Sequence, residues 1–243
     1  MTEEEQADAN AAAQRGVQIY LHDRAAWLAT DEARKLKAFR DEKRGDGYVT
    51  ERRGNEIRVT FFGAGTKDSP LALYRVIVPD SAAAQPAEAL ENPEPLSGYE
   101  AGAVAARKLA MRQKVELCGK TYNSVVLPAP AGSDARWIVY LLPGTTERNV
   151  IPMGGAWRME VNAAVDTVLS QRTYTRSCFQ MPDDPKAEAL VLTHLMDPVP
   201  TELHVFWSLT ARKMIMVLMT QNESVWAVSR GSVGLVERGS FSN

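Results

Sequence analysis

The sequence predicts an α+β protein: predominantly antiparallel β-sheet, arranged as meanders, packed with a few helices. Three observations support this fold class. Short runs of β-branched, aliphatic and aromatic residues recur along the chain, separated by Gly, Pro, Asn and Asp. Other stretches carry apolar residues three and four positions apart, which is typical of amphipathic helices. These helices stand alone between groups of strands, so the pattern disfavours the strand-helix-strand repeats of a parallel fold.

Composition indicates a globular protein. The chain has 243 residues, 45% of them hydrophobic, enough for one large domain or two modest ones. The net charge of −2 disfavours a nucleic-acid partner, and no run approaches the roughly 20 apolar residues of a transmembrane helix. The chain as written is expected to be cytoplasmic because its start is acidic and lacks signal features. The alternative, an exported protein whose signal peptide has been removed, remains open.

The N-terminal part, residues 1–79, is expected to combine a helical segment with a small β-meander. Residues 1–12 are rich in Glu and Ala and are expected to fray. Apolar spacing predicts a helix from Ala13 to Leu28 and a second, shorter helix after it. The runs YVTERR, EIRVTFFG and LALYRVIV then predict three antiparallel strands, with the loop GAGTKDSP before the third.

A linker or surface loop is predicted for residues 80–97, where Ala, Pro and Glu predominate without an apolar period. Residues 98–243 are then expected to form a helix packed on an antiparallel sheet of about seven strands. Ser97 is a candidate cap for a helix that ends near Leu117. The runs TYNSVVLP, RWIVYLLPG, AWRMEV and TVLSQRTY follow as strands. RWIVYLLPG is apolar on both faces, which predicts a central position in its sheet.

The stretch Glu188–Val228 is predicted to form the core sheet. Its runs ALVLTHL, LHVFWSL, MIMVLM and VWAV are separated by polar turns and indicate four consecutive antiparallel strands. Because MIMVLM is apolar on both faces, this strand is expected to be covered on both sides.

One cluster with chemical potential follows from that hairpin. If the loop MDPVPTE is symmetric about Val199, His194 faces His204 and Glu202 projects from the same side. Two imidazoles and a carboxylate suit a divalent metal ion, with Asp197 as a further ligand. A register slip of one residue would separate the histidines. Hydrogen-bonded core histidines, or a pair that titrates together, are the alternatives.

Three cations lie inside the apolar arcs of the predicted helices: Arg24, Lys108 and Arg112. A buried cation without a partner is strongly unfavourable. Each side chain should therefore extend to water, pair with a carboxylate such as Glu160 or Asp23, or meet a bound anion.

Function is not marked by any diagnostic motif, because GxSxG, GxGxxG and HExxH are all absent. The sequence has many patterns typical of strands and helices but no catalytic motif. This favours a non-enzymatic binding or protein-interaction module, with an unknown protein or small-molecule partner. The alternative is a hydrolase in which the His/His/Glu cluster holds a divalent metal that activates water. A structural subunit of a larger assembly is a third class. Cys118 and Cys178 are compatible with one disulfide or with two free thiols.

Overall fold

A computed structural model of the chain describes residues 1–65, 69–144, 147 and 149–239. Within these residues it contains four helices and 14 strands, and all but one of the strand pairs are antiparallel. The predicted α+β class is therefore confirmed. Residues 66–68 of the loop GAGTKDSP lie outside the described part of the chain.

The helix α1 (Glu3–Lys35) contacts strands of three sheets as well as the last helix, α4 (Glu202–Ala211). Thr2 begins it, because the Thr2 hydroxyl accepts from the Glu5 N–H at 3.2 Å while the Glu5 carboxylate accepts from the Thr2 N–H at 2.8 Å. The expected fraying of residues 1–12 is therefore wrong. A second, shorter helix does follow at Lys37–Asp41, but α1 continues to Lys35, beyond its predicted end at Leu28. Most side chains on the buried face are alanines, which give a weak apolar period. In the described residues, no helix is both long and apolar enough to cross a membrane.

The first sheet confirms the predicted meander and extends it. β1 (Gly45–Arg53), β2 (Glu56–Gly63) and β3 (Leu71–Pro79) pair antiparallel in chain order, after the short helix α2 (Lys37–Asp41). A fourth strand, β4 (Glu88–Pro95), pairs with β3. Part of the segment predicted as a linker is therefore an edge strand, and its mostly exposed side chains explain the missing apolar period.

The second sheet has the order β5 (Tyr122–Pro128), β6 (Ala135–Pro143), β8 (Trp157–Asn162) and β9 (Val168–Thr173). As predicted, β6 is central and buried on both faces. One face packs on α3 (Gly98–Met111), which ends about six residues before the predicted position. The other face packs against α1 and α4. The sheet is therefore covered by helices on both sides, and the cleft described below lies on the α1 side.

The C-terminal stretch corrects the predicted meander. It forms β11 (Ala189–His194), α4 (Glu202–Ala211), β12 (Met214–Met219), β13 (Ser224–Ser229) and β14 (Ser232–Arg238). The run LHVFWSL is helical, so β11 and β12 pair in parallel and the hairpin that was to align the histidines does not exist. Nearly every residue of this run is buried, so its apolar pattern fits a strand and a helix equally. The predicted cover on both faces of β12 is also wrong, since alternate residues on one face are exposed or half-exposed.

A disulfide joins Cys118, after α3, to Cys178, which precedes β10 (Gln180–Pro182). The strand β10 pairs with β7 (Val150–Pro152) in a separate two-stranded sheet. The bond decides between the two alternatives that the sequence left open for these cysteines.

Candidate ligand-binding cleft

A cleft of about 540 Å³ opens between α1, the second sheet and the loop that precedes α4. Its charged and polar lining comes from all three elements: Asp8, Gln14, Arg15, Gln18, Tyr140, Arg158, Arg172, Asp197, Thr201 and Glu202. The opposing charges suit a polar ligand better than a purely apolar one.

One wall is a row of three side chains on neighbouring strands. Tyr140 of β6 pairs directly with Arg158 of β8, and Arg158 pairs directly with Arg172 of β9. Directly paired residues of an antiparallel sheet project from the same face. A phenol and two guanidinium groups therefore lie side by side on the face that meets α1.

Glu202, the first residue of α4, lies against this row. Its Oε1 accepts hydrogen bonds from the hydroxyls of Tyr174 at 2.7 Å and Tyr140 at 3.1 Å, and Arg158 Nε lies 3.7 Å away. Burial, and then the charge of Glu202, raise the pKa of both tyrosines above the ordinary value. Both hydroxyls therefore keep their protons and hold the carboxylate in place.

A second network fixes Asp197. Arg172 donates from Nη1 and Nη2 to the two carboxylate oxygens at 2.9 and 2.7 Å, and His194 Nε2 lies 2.8 Å from Oδ2. Burial alone would raise the pKa of Asp197, but the hydrogen bonds from His194 and Arg172 outweigh it and hold the pKa well below its usual range. This carboxylate is therefore a permanent charge at neutral pH.

The two histidines do lie together, but by a different route from the predicted hairpin. Their ring centroids are 4.7 Å apart at an interplanar angle of 87°. His204 Nδ1 accepts from the Thr201 N–H at 2.9 Å, so its proton is on Nε2. Burial, and then the neighbouring His194, lower the pKa of His204 to about 3, so the ring is neutral at pH 7.

The four residues of the hypothesised metal set have protein partners instead of a common centre. Glu202 is bound by two tyrosines, Asp197 by an arginine and a histidine, and His204 by the backbone at the start of its helix. Across the part of the chain that the structure describes, no group of three or more His, Cys, Asp and Glu side chains is arranged to hold a metal ion.

The three cations predicted from helical arcs lie outside this cleft. Lys108 Nζ is 2.8 Å from Asp46 Oδ2, so its partner is neither Glu160 nor Asp23. Arg24 borders a separate surface cavity, and Arg112 is exposed at the end of α3. Neither arginine has a carboxylate within 4 Å among residues 1–65, 69–144, 147 and 149–239.

The sequence did not single out the arginines that do line the cleft, namely Arg15, Arg158 and Arg172. Arg158 alternates with apolar residues in AWRMEV, and Arg172 lies in the polar stretch SQRTY. Both patterns usually indicate a strand with a solvent-facing side. Only the cross-strand register, together with the position of α1, brings them to one cleft.

Arg15 differs from the other two arginines in its pairing. Arg158 meets Glu160 and Arg172 meets Asp197, whereas Arg15 Nη1 donates to the Pro128 carbonyl at 3.2 Å. No carboxylate of the described residues lies within 4 Å of its guanidinium. The half-buried Arg15 therefore brings a positive charge to the cleft that pairs with no carboxylate in the described part of the chain.

Comparison of the chain with protein-family models, with curated proteins and with solved structures finds no match.

Proposed function

We propose that this protein is a non-enzymatic binding protein whose cleft takes a small ligand carrying a carboxylate. The observation that carries the proposal is the guanidinium of Arg15, which lines the cleft without a carboxylate partner among the described residues. A guanidinium presents a planar fork of donors that matches the two oxygens of a carboxylate.

The fixed charges around Arg15 support this assignment. Arg158 and Arg172 already pair with protein carboxylates, so they define the wall of the cleft and leave Arg15 to meet an added anion. Asp8, which also lines the cleft, precedes Arg15 by seven residues, about 10 Å along the helix axis. An anion should therefore occupy the Arg15 end, away from the repulsion of Asp8.

Binding is favoured over catalysis because Tyr140 and Asp197, which line the cleft, and Tyr174 behind Glu202 each stay in one protonation state near neutral pH. The pKa values of Tyr140 and Tyr174 are raised and that of Asp197 is lowered. General acid-base catalysis works best with groups that titrate near the working pH. The hydrolase alternative has no comparable support in the described residues.

Calorimetric titration with acetate, butyrate and benzoate tests the proposal. We expect carboxylate binding to the wild-type protein and at least tenfold weaker binding to Arg15→Gln. Arg34→Gln is the matched control, since Arg34 lies on the same helix and is exposed away from the cleft. Absence of binding for all three carboxylates at millimolar concentration, or equal binding by Arg15→Gln, would overturn the proposal.

We also propose that the protein works in an oxidising compartment after export. The disulfide between Cys118 and Cys178 supports this location, because such bonds rarely persist in the reducing cytoplasm. Alkylation of free thiols in freshly lysed cells, followed by measurement of the intact mass, tests it. Two alkylated cysteines in the native source would contradict export.

A further inference from the structure

A second cavity, of about 570 Å³, lies next to the cleft along α1. Arg15, Gln18 and Pro130 line both spaces, so the two cavities share a boundary. Volumes of roughly 300–1,000 Å³ are typical of sites for small organic ligands. Each cavity is therefore large enough for part of such a ligand.

The boundary between the cavities includes one bridging side chain. Arg15 reaches from α1 to the last residue of β5, where Nη1 donates to the Pro128 carbonyl. This contact is exposed to solvent, so exchanging the carbonyl for a ligand carboxylate removes little stability. A ligand bound to Arg15 would thus stand at the junction of the two spaces.

The lining of the second cavity is largely apolar: Val17, Leu21, Leu127, Pro128 and Ala129, with the ring of Tyr99. This composition contrasts with the charged walls of the first cleft. Transfer of a hydrocarbon group from water to such a surface lowers the free energy.

His22 and Arg52, which line this second cavity beside Arg15, are both compensated. His22 is buried and lies 2.7 Å from Thr50 Oγ1, and burial lowers its pKa to about 4, so the ring is neutral at pH 7. Arg52 donates to both oxygens of Asp80 at 2.6 Å. Arg15 is thus the cation at this cavity that lacks a carboxylate partner in the described structure.

We propose that the two cavities are subsites of one groove and that the ligand is an amphipathic carboxylate. Its carboxylate meets Arg15, and its aliphatic or aromatic part fills the space beside Leu21 and Ala129. This inference rests on the proposed function, because it uses the same anion contact, and it adds the chemical class of the ligand.

The test is a series of straight-chain carboxylates from acetate to octanoate, titrated into the full-length protein. Each methylene that enters the second cavity should tighten binding about fourfold until the space is filled. Arg15→Gln should weaken every member of the series by a similar factor. Octanol, which has the chain without the carboxylate, should bind more weakly than octanoate to the wild type and equally to wild type and Arg15→Gln.

Two variants place a polar group in the apolar subsite, Leu21→Gln and Ala129→Gln. In both variants, the increase in affinity per added methylene should fall from about fourfold to less than twofold, while acetate binds as in the wild type. Leu28→Gln is the matched control, since Leu28 is half-buried two turns further along α1 and does not line this cavity. Melting curves establish that each variant is folded, and having two variants preserves the test if one is not.

The outcomes separate the two proposals. If no carboxylate binds, the proposed function fails and the inference fails with it. If acetate binds through Arg15 but affinity does not rise with chain length, only the inference fails. An increase in affinity with chain length that persists in both Leu21→Gln and Ala129→Gln also overturns the inference, because the hydrocarbon chain of the ligand then lies elsewhere.

Discussion

Gly16 of α1 and Val205 of α4 approach so closely that no side chain fits between them. A Cβ added at Gly16 would lie 2.5 Å from the Val205 Cβ and 2.5 Å from the Glu202 carbonyl oxygen. Atoms at these distances overlap, so any larger residue must push the helices apart. Because Glu202 begins α4 and lines the cleft, this contact also sets the width of the cleft.

Gly16→Ala should therefore destabilise the protein and weaken ligand binding. Alanine gains roughly 0.5–1 kcal/mol in helix propensity, but overpacking costs about 1–3 kcal/mol, so the steric effect should prevail. Urea denaturation measures the change in the free energy of unfolding. Gly98→Ala, also in a helix, is the control, since a Cβ there meets nothing within 4 Å. A Gly16→Ala protein as stable as the wild type would mean that α1 and α4 can separate freely.

The ion pair between Arg172 and Asp197 should couple more strongly than a surface pair of the same chemistry. Asp197 is only 17% exposed and also contacts the buried His194, so loss of Arg172 leaves a poorly solvated carboxylate. A double-mutant cycle with Arg172→Gln and Asp197→Asn should give a coupling of about 1–3 kcal/mol.

The comparison cycle uses Arg52 and Asp80, which form a similar two-point contact at 2.6 Å with side chains 41% and 31% exposed. Exposed pairs contribute about 0.2–1 kcal/mol. Equal coupling energies in the two cycles would contradict the structural role assigned to Asp197.

Local patterns in the sequence were sufficient for the fold class and for most of the strands. The central position of RWIVYLLPG followed from apolar residues on both faces, which only a covered strand tolerates. The same reasoning failed for LHVFWSL, because a short helix buried on nearly every side has no polar face to reveal its period. The alanine-rich face of α1 hid its length for a related reason.

The candidate cleft depended on information that is not local. Tyr140, Arg158 and Arg172 form a row only because of the register of three strands, which turn lengths and bulges set. Arg15 joins them through the packing of α1, more than 100 residues earlier in the chain. The proximity of His194 and His204 was predicted, although the predicted hairpin was wrong and the turn into α4 brings them together.

Acid should destabilise the protein through its two buried neutral histidines. The folded-state pKa values of His22 and His204 are lowered from 6.5 to about 4 and about 3. Below pH 6.5 the unfolded chain binds a proton at each site and the folded protein does not. The contribution of each histidine to the free energy of unfolding is therefore fully present above pH 6.5 and falls as the pH decreases toward 4. Each histidine should contribute a slope of up to about 1.4 kcal/mol per pH unit, measured by urea denaturation between pH 7 and 4.5.

Asp23 should act in the opposite sense, which provides an internal control. Burial raises its folded-state pKa from 3.8 to about 6, and the hydrogen bond from Asn123 only partly offsets this. The contribution of Asp23 to the free energy of unfolding is therefore fully present below pH 3.8 and is lost as the pH rises through 6. Relative to the wild type, Asp23→Asn should steepen the acid dependence and His22→Gln should flatten it. Slopes that change in the same direction in both variants would contradict these assignments.

Reduction of the disulfide should remove a large part of the stability. Cys118 and Cys178 are 60 residues apart, and the loop-entropy model gives about 4 kcal/mol for a closed loop of that size. Dithiothreitol should therefore shift the urea midpoint of the wild-type protein to lower concentration. The double variant Cys118→Ser, Cys178→Ser should unfold at the same lower midpoint with or without reductant, because it has no bond to lose. A reductant effect that persists in the double variant would mean that the loss of stability comes from another source.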